Sequence, residues 1–378
     1  MKPSSLPRPR SLPRLVREEW FLAVGIVTAI IFEARGDSLF DALANPFGMA
    51  ALFGWLFAVI MGSALNVVRH ADHLAVRLGE PYGTLILTLS VASIEIISLS
   101  AVILHGGSDP TLVRDSLLSV VMIILNGMVG LSLLIGAWRH REQQYNLQGA
   151  NTYLGVIIPL VVLSLILPSF TTTTPGPTLA FEQSIFLILA SLGLYGAFLA
   201  MQTGRHRGYF IEDLGDASEA GESEDAAPRA TWQHAVLLLA YMVPVVLLAD
   251  ELGRPVDFFI ETLDAPTAIG GLALALLVAT PEAIGAVRAA TQNHLQRAVN
   301  IFLGSVLATI GLTVPAMLIV SHLTHRTMIL GVQGTDQVML LLTLAVSVVT
   351  FASGRTNVLQ GAVHLLLFAA YLLLMFQG

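Results

Sequence analysis

The chain has 378 residues, 55% hydrophobic and 12% charged, about half the charged share of roughly 25% that clothes a soluble domain. That balance excludes a disordered chain, and a net charge of −7 with a single lysine, Lys2, leaves no basic stripe for nucleic acid. The absence of cysteine excludes disulfides, Cys-ligated zinc and thiol catalysis. What remains is a polytopic membrane protein, with transport as the foremost function class.

A bilayer core is crossed by about 20 apolar residues in a helix. Eleven runs of that kind lie near 20–34, 48–68, 82–104, 114–137, 152–168, 182–202, 233–249, 267–287, 299–321, 336–352 and 358–376. They are continuously apolar, which predicts helices rather than the alternating segments of a β-barrel. The first is short and contains Glu33. Pro and Arg enrich the residues before it, yet the stretch from Trp20 ends in Phe32-Glu33-Ala34-Arg35, a poor cleavage site, and reads as a retained helix. With the N-terminus in the cytoplasm and alternating helices, the 19 basic residues divide 15 inside to 4 outside. Trp20, Trp138 and Trp232 then fall at cytoplasmic helix ends, where an aromatic belt belongs.

The longest polar stretch, 203–232, carries Arg205 and Arg207 and then seven acids between Glu212 and Asp225. It reads as a solvated cytoplasmic loop with no EF-hand spacing. The chain divides into a basic N-terminus with the first helix (1–47), five helices (48–202), the acidic loop (203–232) and five more helices (233–378). An odd number of helices per half inserts the second half upside down, so the predicted fold is all-α, one extra helix plus two inverted five-helix repeats.

The second helix of each half repeats a pattern. Gly83 precedes Glu95 by twelve residues, and Gly270 precedes Glu282 by twelve. Pro81 and Pro266 stand before the glycines, Glu80 and Asp264 before the prolines, and Ser93 and Thr280 two residues before the glutamates. A carboxylate at mid-membrane costs about 2.5–3.5 kcal/mol on insertion scales, and two at matching places point to a shared cation site. Thr88, Ala92, Glu95 and Ser98 share one helix face. Pro281 frees the Leu277 carbonyl one turn back, the kind of break that finishes cation sites in transporters. The following helices are rich in small residues, and Asn126, Ser305 and Thr309 there offer neutral oxygens. Glu80 and Asp264 stand at helix entrances, where an acid attracts cations or simply faces water. His364 reads as a neutral, hydrogen-bonded histidine and Arg288 as an interfacial, snorkelling one.

The blocks His70-Ala71-Asp72 with Gly79-Glu80-Pro81-Tyr82-Gly83-Thr84, and Thr280-Pro281-Glu282 with Gln296-Arg297-Ala298-Val299-Asn300 through Gly311, resemble the signatures of bacterial calcium/proton antiporters of the ChaA type, within the calcium/cation antiporter superfamily. The resemblance runs over nearly the whole chain from about residue 50. It implies that each repeat supplies one essential acid, which maps onto Glu95 and Glu282, and that the protein sits in a bacterial inner membrane. Eukaryotic vacuolar relatives carry a glutamine near Ala308-Thr309, so their ligand details are not carried over.

The chemistry expected is exchange. Calcium takes six to eight oxygens, and two carboxylates can hold either that ion or protons. The expected function is antiport of Ca2+, or of Na+ or K+, against protons, with inorganic cations, protons and lipid as partners and no cofactor. A passive cation channel is the alternative. A membrane hydrolase finds no HExxH and no GxSxG to support it.

Overall fold

Apolar segments in lipid must satisfy their own backbone groups, and a helix does so within the segment. The computed structural model describes residues 18–78, 82–105, 110–211, 230–263 and 266–377, and these are almost entirely helical. In chain order the helices are α1 (Trp20–Ala42), α2 (Pro46–Leu78), α3 (Tyr82–His105), α4 (Leu112–Met122), α5 (Val129–His140), α6 (Leu147–Val161), α7 (Phe181–Thr203), α8 (Thr231–Ala249), α9 (Gly253–Leu263), α10 (Ala268–Thr291), α11 (Leu295–Ala308), α12 (Val314–Thr324), α13 (Gly334–Thr350) and α14 (Val358–Gln377). π turns at Ile123–Met128 and Thr309–Thr313 join α4 to α5 and α11 to α12 without a break.

Among the described residues, eight helices are long and apolar enough to cross a membrane, and the apolar stretches Leu89–Ala101 and Gly334–Thr350 are shorter. α1 is not among the eight, yet it runs past residue 34, where the apolar run ends. It buries Gly25, Thr28, Ala29, Phe32, Gly36 and Phe40, spaced as one helix face, and exposes Glu33, Arg35, Asp37 and Asp41 on the other. That buried face lies against α2 and α8. α2 and α8 likewise outrun their apolar windows. α2 continues to Leu78, and α8 passes through a 3-10 turn at Asp250–Leu252 into α9.

The spans Leu112–His140 and Leu295–Thr324 form the centre. Protein buries 83% and 72% of their apolar windows, against 28% for Val358–Gln377 on the periphery. The two halves interlock. α10 lies against α4, and α2 against α8. Gly271 makes the first of these contacts possible, because a Cβ there would stand 2.6 Å from backbone atoms of Asp115 and Ser116. A two-residue antiparallel ribbon, Gln143↔Thr356 and Gln144↔Arg355, ties the loop after α5 to the loop before α14. After α7, a 3-10 turn at Arg207–Tyr209 docks on α11, where Asn300 Nδ2 donates to the Phe210 carbonyl at 2.6 Å.

Candidate cation site

Four expected residues meet at the centre. Glu95 on α3 is 3% exposed, and its Oε2 accepts a hydrogen bond from the Thr309 hydroxyl at 2.9 Å. Glu282, part-buried on α10, accepts from the Ser305 hydroxyl. Ser305 and Thr309 are four residues apart at the end of α11 and the start of its π turn, so one helix face presents both hydroxyls. Glu95 and Glu282 are close enough to interact electrostatically. The carboxylates thus come from α3 and α10, one in each half, while both hydroxyls come from the second half.

Glu95 Oε1 is buried and has no hydrogen-bond partner. It borders a cavity of about 20 Å³ shared with Ser98, Ser116, Val120, Leu277 and Val278, about the room one water needs. The buried Ser116 hydroxyl on α4 is also without a hydrogen-bond partner. An orphaned carboxylate oxygen beside polar lining atoms is the arrangement a cation or its water would satisfy. The sequence reading missed two groups here. Ser116 lies at the start of α4, and Thr313, fully buried at the end of the π turn, turns its hydroxyl towards Glu95 without closing a hydrogen bond. The hydroxyl spacing Thr309-x-x-x-Thr313 was the available signal for Thr313.

The other expected residues fall elsewhere. Asn126 is fully buried in the first π turn, but its amide donates to Thr343 Oγ1 at 2.8 Å and to Met122 Sδ at 3.4 Å, and its Oδ1 lies 3.3 Å from His364 Nδ1. Those bonds run to α4, α13 and α14, and neither glutamate is among the partners. The extra residue of a π turn rotates the face that its side chains present. His364 is buried with Nε2 2.9 Å from Thr350 Oγ1, so both ring nitrogens are engaged, as expected of a structural histidine. Thr280 bonds back to the Leu276 carbonyl at 2.6 Å, and Arg288 is exposed near the end of α10. The Thr88 side chain, Glu80, Asp264 and the acids 212–225 lie outside the described residues.

The sodium/calcium exchanger protein family model matches residues 48–204 and 233–377. The sodium-potassium/proton antiporter ChaA of Escherichia coli (strain K12) is 36% identical over 362 residues, 95% of this chain and 96% of that protein. The Ca(2+)/H(+) antiporter ChaA of Bacillus subtilis (strain 168) is 24% identical over 336 residues, 86% of this chain and 91% of that protein. The solved structure of native YfkE superposes with a TM-score of 0.73 at 19% identity, covering 95% of this chain and 99% of that one, and shows the same fold. An integral membrane protein with transmembrane helices and a cation-exchanger fold, the chain belongs to the sodium/calcium exchanger protein family of cation antiporters.

Proposed function

We propose that the protein exchanges a metal cation for protons at one site, with Glu95 and Glu282 taking either the ion or the protons. Ca2+ is the cation of first choice. Two carboxylates neutralise one divalent ion, and Ser305, Thr309, Ser98 and water add the neutral oxygens that a hard cation takes. The observation that carries the reading is the seating of the two carboxylates, one from each half, on neighbouring hydroxyls of a single helix. A carboxylate removed from water binds a proton more readily, and a cation displaces it, so the two ligands compete. Site count then sets about two protons per Ca2+.

The layout proposed is eleven membrane-crossing helices, the first an addition to two inverted repeats, with the N-terminus cytoplasmic. The family match in two blocks flanking the acidic loop supports it, as does the 15-to-4 division of basic residues. Reporter fusions at the two ends should give opposite signals; like signals would overturn the layout.

The relatives differ in the cation their names carry, so the test of the site is flux. Purified protein in liposomes should move protons when a Ca2+ gradient is imposed, with Na+ and K+ gradients run alongside. A cation flux with no proton movement would make the protein a channel instead.

A further inference from the structure

A second set of titratable groups lies away from the glutamates, where α1, α2 and α8 meet. His70 on α2 is fully buried, and its Nδ1 stands 3.0 Å from Nδ1 of His234 on α8, also buried. His70 Nε2 lies 3.3 Å from Arg69 Nη2 and 3.5 Å from Oε2 of Glu19, the residue that precedes α1. That same carboxylate oxygen accepts from Arg69 at 2.6 Å and from the buried Tyr241 hydroxyl at 2.9 Å. His73, exposed one turn on, lies over His234 with ring centroids 4.7 Å apart.

Two facing Nδ1 atoms at 3.0 Å share one proton, since two lone pairs or two N–H groups would repel. Arg69 donates only, so in the neutral pair His70 Nε2 accepts and its Nδ1–H donates to His234. One added proton has a prepared place. On His70 Nε2 it faces Glu19, while the Nδ1 bond to His234 survives. Imidazolium and carboxylate then bind α2, α8 and the chain at the head of α1 into one unit.

We infer that His70, His234 and Glu19 form a second proton-binding site, read from the cytoplasmic side, that clamps α1 across the first helices of both repeats and slows exchange when its proton is bound. The inference rests on the proposed antiport and orientation. The surrounding groups set its range. Glu19 favours the bound proton. Arg69 and Arg77, the latter 3.4 Å from Thr231 Oγ1, oppose it, as does burial of the pair. Asp72 sits within electrostatic reach of His73 and of Arg297 on α11, and Tyr241 stays a neutral donor. His73 gives the pair a water-facing neighbour.

The test measures exchange by full-length protein in liposomes at saturating cation, with pH varied only on the cytoplasmic face. His234→Asn keeps an amide near the Nδ1 position but does not ionise there, and Glu19→Gln removes the counter-charge. The rate of wild type divided by that of H234N cancels proton competition at Glu95 and Glu282. It should be near one at pH 8 and fall at least threefold by pH 6. E19Q should move the fall about one pH unit lower. A ratio flat from pH 8 to 6 in well-inserted protein overturns the site. Should neither variant insert, 15N-histidine spectra of wild type in bilayers decide. A hydrogen-bonded Nδ1 pair that becomes one imidazolium as the pH is lowered is expected, and rings that stay neutral to pH 5.5 overturn it. Loss of exchange at every pH in wild type would instead break the antiport reading, and the spectra would still report on the histidines.

Discussion

Two of the three π turns among the described residues, Ile123–Met128 and Thr309–Thr313, interrupt the two most buried spans, yet of these only the second serves the glutamates. Thr309 opens its turn and bonds Glu95 in the other half of the chain, and Ser305, four residues earlier, bonds Glu282. In the first half the residue four before the turn is Ser119, and its hydroxyl pairs with Tyr371 on α14 at 2.8 Å. Asn126 inside that turn joins Thr343 and His364. One turn presents hydroxyls to the glutamates, and the other is a joint to the peripheral helices α13 and α14. Similar turns in the two halves therefore hold different hydrogen-bond partners.

The largest expected effect comes from what the halves share. Glu95→Gln and Glu282→Gln keep size and hydrogen bonding but leave one carboxylate, which neutralises half of a divalent ion. Each should lower cation-driven proton flux at least about a hundredfold, ~2.8 kcal/mol at 1.4 kcal/mol per decade. Equal collapse in both would show the acids acting as a pair. Wild-type flux in either would end the shared-site reading.

The hydroxyls should divide the halves. A hydrogen bond to a charged group contributes about 1.5–3 kcal/mol. Ser305→Ala and Thr309→Val should each raise the half-saturating cation concentration roughly tenfold or more. Ser119→Ala, at the matching place in the first half, should change it less than about twofold. Similar shifts for Ser119 and Ser305 would mean that the first π turn also reaches the ion during transport.

Asn126→Ala tests the joint. It leaves Thr343 and His364 short of a buried partner, a loss of about 1–3 kcal/mol. A thermal midpoint lower by a few degrees is expected, with cation affinity unchanged in the protein that remains folded. An affinity loss matching that of Thr309→Val would make Asn126 a ligand.

The sequence made some of this visible. The twelve-residue spacing from Gly to Glu marked Glu95 and Glu282, and small residues around Ser305 and Thr309 marked the hydroxyls that the structure sets on them. The bonds of Asn126 to Thr343 and His364 were not visible in the sequence, because a π turn leaves no periodicity signal. It alters which face is presented without altering composition. Helix lengths were underread for a related reason. An apolar window stops at Arg69-His70 and at Asp250-Glu251, but α2 runs on to Leu78 and α8 continues through a 3-10 turn into α9, with His70 packed inside the protein against His234. Thr313 and Ser116 were passed over because a lone hydroxyl in an apolar helix ordinarily bonds its own backbone, as Thr280 does.

The smallest effect concerns the chain between the halves. Its first part is anchored to α11, since Asn300 holds the Phe210 carbonyl and Gln296 Nε2 lies 3.5 Å from the Tyr209 carbonyl. Asn300→Ala should cost about 1 kcal/mol of stability, the ordinary value of one hydrogen bond. The acids that follow form a charge run in the sequence, and solvated charges more than a Debye length of about 8 Å apart are largely screened at physiological salt. Replacing Glu212, Asp213, Asp216, Glu219, Glu222, Glu224 and Asp225 by their amides should leave exchange within about twofold of wild type at 0.15 M salt. At low salt the replacement should weaken apparent affinity slightly, because seven fewer negative charges on the chain attract fewer cations when screening is weak. A large loss at both salt concentrations, in protein inserted as well as wild type, would place those acids in the exchange mechanism and make the connection between the halves a working part of it.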